Sequence, residues 1–100
     1  MREDRQRLDK WLWFARFAKS RTLAAKLVAS GFVRVNGQRT EDPAKALALE
    51  DVITLALSRT TLVIRVVDLG RRRGPATEAR QLYISLDGAG EPLATKGNSG

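Results

Sequence analysis

Arg7, Lys10, Arg16, Lys19, Arg21, Lys26, Arg34 and Arg39 place eight long cationic side chains in the first two fifths of the chain. Together such groups do one kind of chemistry well: charge-assisted hydrogen bonding to phosphate, with arginine as a planar fork and lysine as a point charge. Residues 1–39 hold ten Lys/Arg against three acids, and residues 40–100 hold eight of each, so the whole net charge of +7 belongs to the first part. A surplus segregated in this way implies a polyanionic partner, RNA or DNA. Ser20-Arg21 adds a second device, because Ser20 suits a helix N-cap and would set free backbone N–H groups beside a guanidinium. Asn36 is a candidate through the exposed backbone of an Asn-Gly turn, and the run Arg71-Arg72-Arg73 offers Arg72 and Arg73 as a second contact.

Composition removes other chemistries. The chain has no cysteine and no histidine, which excludes disulfides, zinc knuckles, His-dependent triads and His-ligated metals. No Walker loop, paired-glycine dinucleotide fingerprint or nucleophile–base pair is present. Asp9 lies among cations and is expected to pair with Arg7 or Arg21, since acid–base work would need a second acid or a metal. The expectation is a binding protein, not an enzyme, with no metal, cofactor or small-molecule substrate. No apolar run approaches the roughly 20 residues of a membrane span, and the start MREDRQR has no secretory core. The expected compartment is the cytoplasm, with no membrane partner.

The elements that must position these cations follow from periodicity. Leu8, Trp11, Leu12, Ala15 and Ala18 fall on one arc of a helix over residues 8–18. Trp13, Phe14 and Phe17 continue round the other side, as packing surface or as stacking surface for bases. A second helix spans residues 21–30 with the stripe Leu23, Ala24, Leu27 and Val28, closed by Gly31. Val33 and Val35 then alternate with Arg34 in a strand, and Asn36-Gly37 makes a hairpin turn. Residues 1–6 read as frayed and 39–46 as a loop. Strands are expected at 47–49, 52–57 and 61–69, and a third helix at 75–83 behind Pro75. Residues 87–100 are small, polar and glycine-rich, the signature of disorder.

Arg7-Leu8-Asp9, Ser20-Arg21, Ala24 to Leu27, and Gly31-x-Val33-x-Val35-Asn36-Gly37 together resemble the RNA-binding domain named after small-subunit ribosomal protein S-four, the alpha-L motif. The resemblance covers about residues 7–57. Within it, Lys10-Trp11-Leu12-Trp13, Ala15-Arg16-Phe17 with Lys19, and Arg72-Arg73 before Pro75-Ala76-Thr77-Glu78-Ala79 are similar to the bacterial ribosome-associated heat shock protein fifteen family. That family implies binding to large ribosomal subunits stalled with peptidyl-tRNA, contact with ribosomal RNA and tRNA, and a role in nascent-chain rescue or recycling after stress. One departure stands out: Glu50-Asp51 occupies a turn where the family has Gly-Asp.

The fold expected is α+β: two N-terminal helices packed on a small, mostly antiparallel sheet, with a late third helix, as one domain over residues 1–86 and a disordered tail over 87–100. RNA is the expected partner. Two other readings compete with the ribosomal one. The first is a protein-interaction surface made by Trp13, Phe14 and Phe17. The second is an RNA-binding accessory domain of an RNA-modifying system.

Overall fold

Leu8, Trp11 and Leu12 recur at helical spacing and are wholly buried, so their burial defines the first helix and the face it turns inward. The structure, a computed structural model, describes residues 4–86; the tail expected at 87–100 lies outside them. Helix α1 covers Leu8–Phe14 and packs against α2, Arg21–Ala29. Strands β1 (Gln6–Arg7), β2 (Val33–Val35), β3 (Gln38–Thr40), β4 (Ala46–Leu47), β5 (Val52–Ala56), β6 (Thr61–Val66) and β7 (Tyr83–Ser85) follow in chain order, with the short helix α3 (Ala76–Ala79) before β7. Five strands form an antiparallel sheet in the order β3-β2-β5-β6-β7, and β1 pairs with β4 in a separate ribbon. The α+β fold is as expected, and the sheet is antiparallel throughout.

The core lies between the helix pair and one face of the sheet. Val33, Val35, Ile53, Leu55, Ile64 and Val66 alternate inward along β2, β5 and β6 and meet Leu8, Trp11, Leu12, Ala24 and Val28 from the helices. Trp11 is fully enclosed and donates its indole N–H to the Asp68 carbonyl at 2.8 Å. An enclosed indole is stable here because its polar atom has a partner.

Several expected boundaries move. Helix α1 stops at Phe14, four residues early. Arg16 takes the left-handed conformation (φ 67°), its N–H bonds the Trp13 carbonyl at 3.1 Å, and the Phe17 N–H reaches the Leu12 carbonyl at 3.0 Å. This is a Schellman closure, in which glycine normally takes the left-handed position; with arginine there, no breaker residue announces the stop. Leu23, expected on the buried stripe of α2, is 47% exposed. Arg39 and Thr40, at the start of the expected loop, instead join Gln38 in β3, because the Asn36-Gly37 turn (φ 53° and 83°) folds them back onto β2. Gln6, expected to be frayed, is paired to Leu47. The third helix shrinks to α3 and a 3-10 turn, Arg80–Leu82, and Tyr83 opens β7 instead of ending a helix.

Candidate nucleic-acid interface

Asp9 organises the first group of cations. It is 3% exposed, yet carries a charge that burial alone would suppress. Arg7 donates from Nε to Oδ1 at 3.1 Å and from Nη2 to Oδ2 at 3.2 Å, while the Lys10 N–H bonds Oδ1 at 2.7 Å. Arg21, from the first turn of α2, stands 3.8 Å from Oδ2. Burial pushes the Asp9 carboxyl up, but the Arg7 hydrogen bond, the Lys10 N–H and the Arg7 and Arg21 charges together bring it below its ordinary 3.8. The same bond raises the Arg7 guanidinium. Both arginine side chains remain close to half exposed. A carboxylate inside the protein thus joins two guanidiniums from different elements at one place on its surface.

Helix α2 carries cations along its length. Ser20 Oγ accepts the Leu23 N–H at 3.1 Å, the predicted N-cap. Lys26 lies on the exposed side. At the far end Gly31 closes the helix at φ 86°, and its bare Cα lets the Arg39 side chain lie against it; a Cβ there would stand 2.7 Å from Arg39 Nε. Arg39 is the register partner of Arg34 across the β2–β3 hairpin, and both are exposed. Like charges placed directly opposite each other cost stability, and the Glu41 carboxylate, 2.9 Å from Arg39 Nη2, relieves only part of it. From Arg21 to Ala29 the helix spans about 13 Å at 1.5 Å per residue, so α2 links the Arg7–Arg21 group to the Arg34–Arg39 group.

The other candidates divide. Lys19 is exposed, and Lys10 sits half-buried over the Phe14 ring at 5.7 Å. Asn36 uses its side chain internally: Oδ1 accepts the Val52 N–H at 2.9 Å and Nδ2 donates to Asp51 at 3.2 Å. Arg72 is held by both oxygens of Glu78, at 3.2 and 2.8 Å. Arg16 and Arg73 lie together at the end of α1, where Arg16 Nε donates to the Gly74 carbonyl at 2.8 Å and Arg73 Nε to the Trp13 carbonyl at 3.2 Å. No sequence signal announced that pairing of positions so far apart in the chain.

The aromatic side chains are largely taken up in packing. Phe14 is buried, and Phe17 packs 6.2 Å from Trp11 and 4.8 Å from Tyr83, centroid to centroid. Trp13 is half-buried beneath Arg73, 5.9 Å from its ring. These rings complete the core where α1 meets β7. Among the described residues, no group of three acids or other ligands could hold a metal ion, and no helix is long and apolar enough to cross a membrane.

The family model of the S4 domain matches residues 6–53, the stretch that carries the helix pair and the β2–β3 hairpin. Heat shock protein 15 of Escherichia coli K12 is 43% identical over 77 residues, which are 77% of this chain and 57% of that protein. The heat shock protein 15 homolog of Aeromonas salmonicida is 40% identical over 77 residues. Small ribosomal subunit protein uS4 of Xanthobacter autotrophicus is 34% identical over 84 residues, 38% of its length. The chain therefore spans less than two thirds of the length of these curated relatives. The trimeric structure of Vibrio cholerae heat shock protein 15 superposes with a TM-score of 0.79 at 40% identity and covers 86% of each chain. By sequence identity, by the matched domain and by this shared fold, the chain belongs to the heat shock protein 15 family of S4-domain proteins.

Proposed function

We propose that this chain is an RNA-binding, ribosome-associated protein of the cytoplasm, acting by binding and without catalysis. The observation that carries the reading is the arrangement along α2: Arg7 and Arg21 at one end, Lys26 between, and Arg34 and Arg39 at the other. Exposed cations on rigid elements suit the phosphates of a folded RNA, read by shape and backbone position more than by base edge. Lys10 and Lys19 extend the contact, Ser20 serves it by capping the helix, and Asn36 supports it from a structural position. Kinship with ribosomal protein uS4 supports the association with a ribosome, and kinship with heat shock protein 15 supports the finer proposal. In it, the partners are ribosomal RNA and tRNA on stalled large subunits, and the role is nascent-chain rescue or recycling after stress.

The coarse reading is tested by RNA affinity against salt. Four phosphate contacts predict a loss of roughly 10²-fold between 50 and 200 mM monovalent salt; a flat response rejects it. The finer reading is tested by sedimentation and crosslinking in cells, where the chain should travel with large subunits and its crosslinks should map to their RNA or to tRNA. Recovery on small subunits alone would reject the assignment to large ones.

A further inference from the structure

The loop 70–74 lies outside the stretch matched by the S4 domain model, yet it is seated on α1 and the turn that closes it at three points. Phe14 presses on Gly70, where a Cβ would stand 2.9 Å from the ring. Arg73 Nε donates to the Trp13 carbonyl at 3.2 Å and its guanidinium lies over the Trp13 ring at 5.9 Å. Arg16 Nε donates to the Gly74 carbonyl at 2.8 Å. The two arginines therefore cross: each grips the backbone of the other's segment, and the Trp13 carbonyl accepts from both the Arg73 Nε and the Arg16 N–H.

One feature distinguishes this pair from the other arginines with partners. Arg7, Arg21, Arg39, Arg65 and Arg72 each face a carboxylate within 4.0 Å. Arg16 and Arg73, among the described residues, face none; their bonds go to neutral carbonyls, so both are held in place with their charge uncompensated. Each bond engages Nε and leaves the two terminal nitrogens of the fork for an anion. Arg16 also holds a left-handed conformation (φ 67°) at a helix end where glycine is the unstrained choice, a strain that is tolerated where a side chain has a task.

The geometry points to a second RNA-phosphate site, formed by Arg16 and Arg73 beside Trp13, in which loop 70–74 adds a backbone contact that the S4 unit lacks. It rests on the RNA reading above and extends it to the opposite end of α1 from Arg7. Arg72, though adjacent in sequence to Arg73, is outside the site because both oxygens of Glu78 hold it.

The test uses the full chain and purified ribosomal RNA as the probe, with affinity measured across salt concentrations. Arg16→Gly installs the residue that the left-handed position prefers, so the fold should persist, with a melting temperature within about 4 °C of the parent. Its RNA affinity should nonetheless fall about fivefold or more, with the slope of log affinity against log salt reduced by about one. Arg73→Gln should do the same, and Arg72→Gln should change the slope by much less. Unchanged affinity and slope in Arg16→Gly and Arg73→Gln, with the parent still binding in a salt-dependent way, would overturn the site and leave the RNA reading standing. Equal losses in Arg72→Gln and Arg73→Gln would also overturn it, since net charge alone would then explain them. A parent chain that does not bind the probe would bring down both.

Discussion

Asp9 shows how one buried acid serves a basic surface. Its carboxylate is costly to enclose, and the enclosure succeeds because Arg7 bonds both oxygens, Lys10 adds a backbone N–H and Arg21 stands close by. The folded carboxyl titrates below its unfolded 3.8, so its contribution to stability is present above that value and is lost as pH falls through the lower folded one. Asp9→Asn should therefore lower stability at pH 7 by about 1–2 kcal/mol, the worth of charged hydrogen bonds after screening around half-exposed arginines. Thermal or urea melts of parent and variant at neutral and acid pH check this. The gap should narrow once the pH drops below 3.8, where the unfolded carboxyl binds its proton before the folded one does, and a gap that stays constant would contradict the assignment. Asp9 was legible as an ion-pairing group because it is an isolated acid among bases. That it draws on Arg7 and Arg21 at once was not, because Arg21 is brought there only when α2 folds back on α1.

At the scale of elements, ends decide more than middles. Helix α2 was legible at both termini because Ser20 and Gly31 are residues whose backbone chemistry suits a cap. Helix α1 was not, because its left-handed closure falls on Arg16, which carries no such signal. The 48–51 turn raises the same issue. Glu50 holds φ 75°, a conformation that favours glycine, and the turn is closed by the Asp51 N–H on the Ala48 carbonyl at 3.2 Å. Its side chain gains only a surface pairing with Arg65 at 3.7 Å, worth little in solvent. Glu50→Gly should thus remove strain, stabilise the domain by about 0.5–1 kcal/mol and raise the melting temperature by roughly 2–6 °C. Differential scanning calorimetry reads this directly, and a lower melting temperature would show that the Glu50–Arg65 pair outweighs the backbone strain. The strand β3 escaped sequence reading for a different reason. Gln38 and Arg39 are both exposed, so no alternation marks the segment, and its strand character comes from pairing with β2.

For the whole molecule, a formal charge of +7 on 100 residues is a self-repulsion that the fold bears, most visibly at Arg34 opposite Arg39. Screening by salt should relieve it. Between 50 and 500 mM monovalent salt, the melting temperature should rise by about 2–5 °C while RNA affinity falls, so the two responses carry opposite signs. A melting temperature that drops with salt would mean that surface ion pairs dominate the balance. The opposition has a structural root: the side chains that repel one another in the free protein are those proposed to meet phosphate in the complex.

The sequence by itself determined the charge segregation, the caps of α2, the Asn36-Gly37 turn and the inward alternation of β2, β5 and β6. Each of these depends on residues close together in the chain, whose spacing dictates geometry through local sterics and periodic burial. Only the tertiary structure decided which cations keep their charge uncompensated. Whether Arg72 meets Glu78, whether Arg16 reaches Gly74 and whether Arg73 lies on Trp13 all depend on where loop 70–74 comes to rest. That placement is set by core packing between α1 and the far edge of the sheet, a contact between distant segments that no local pattern encodes.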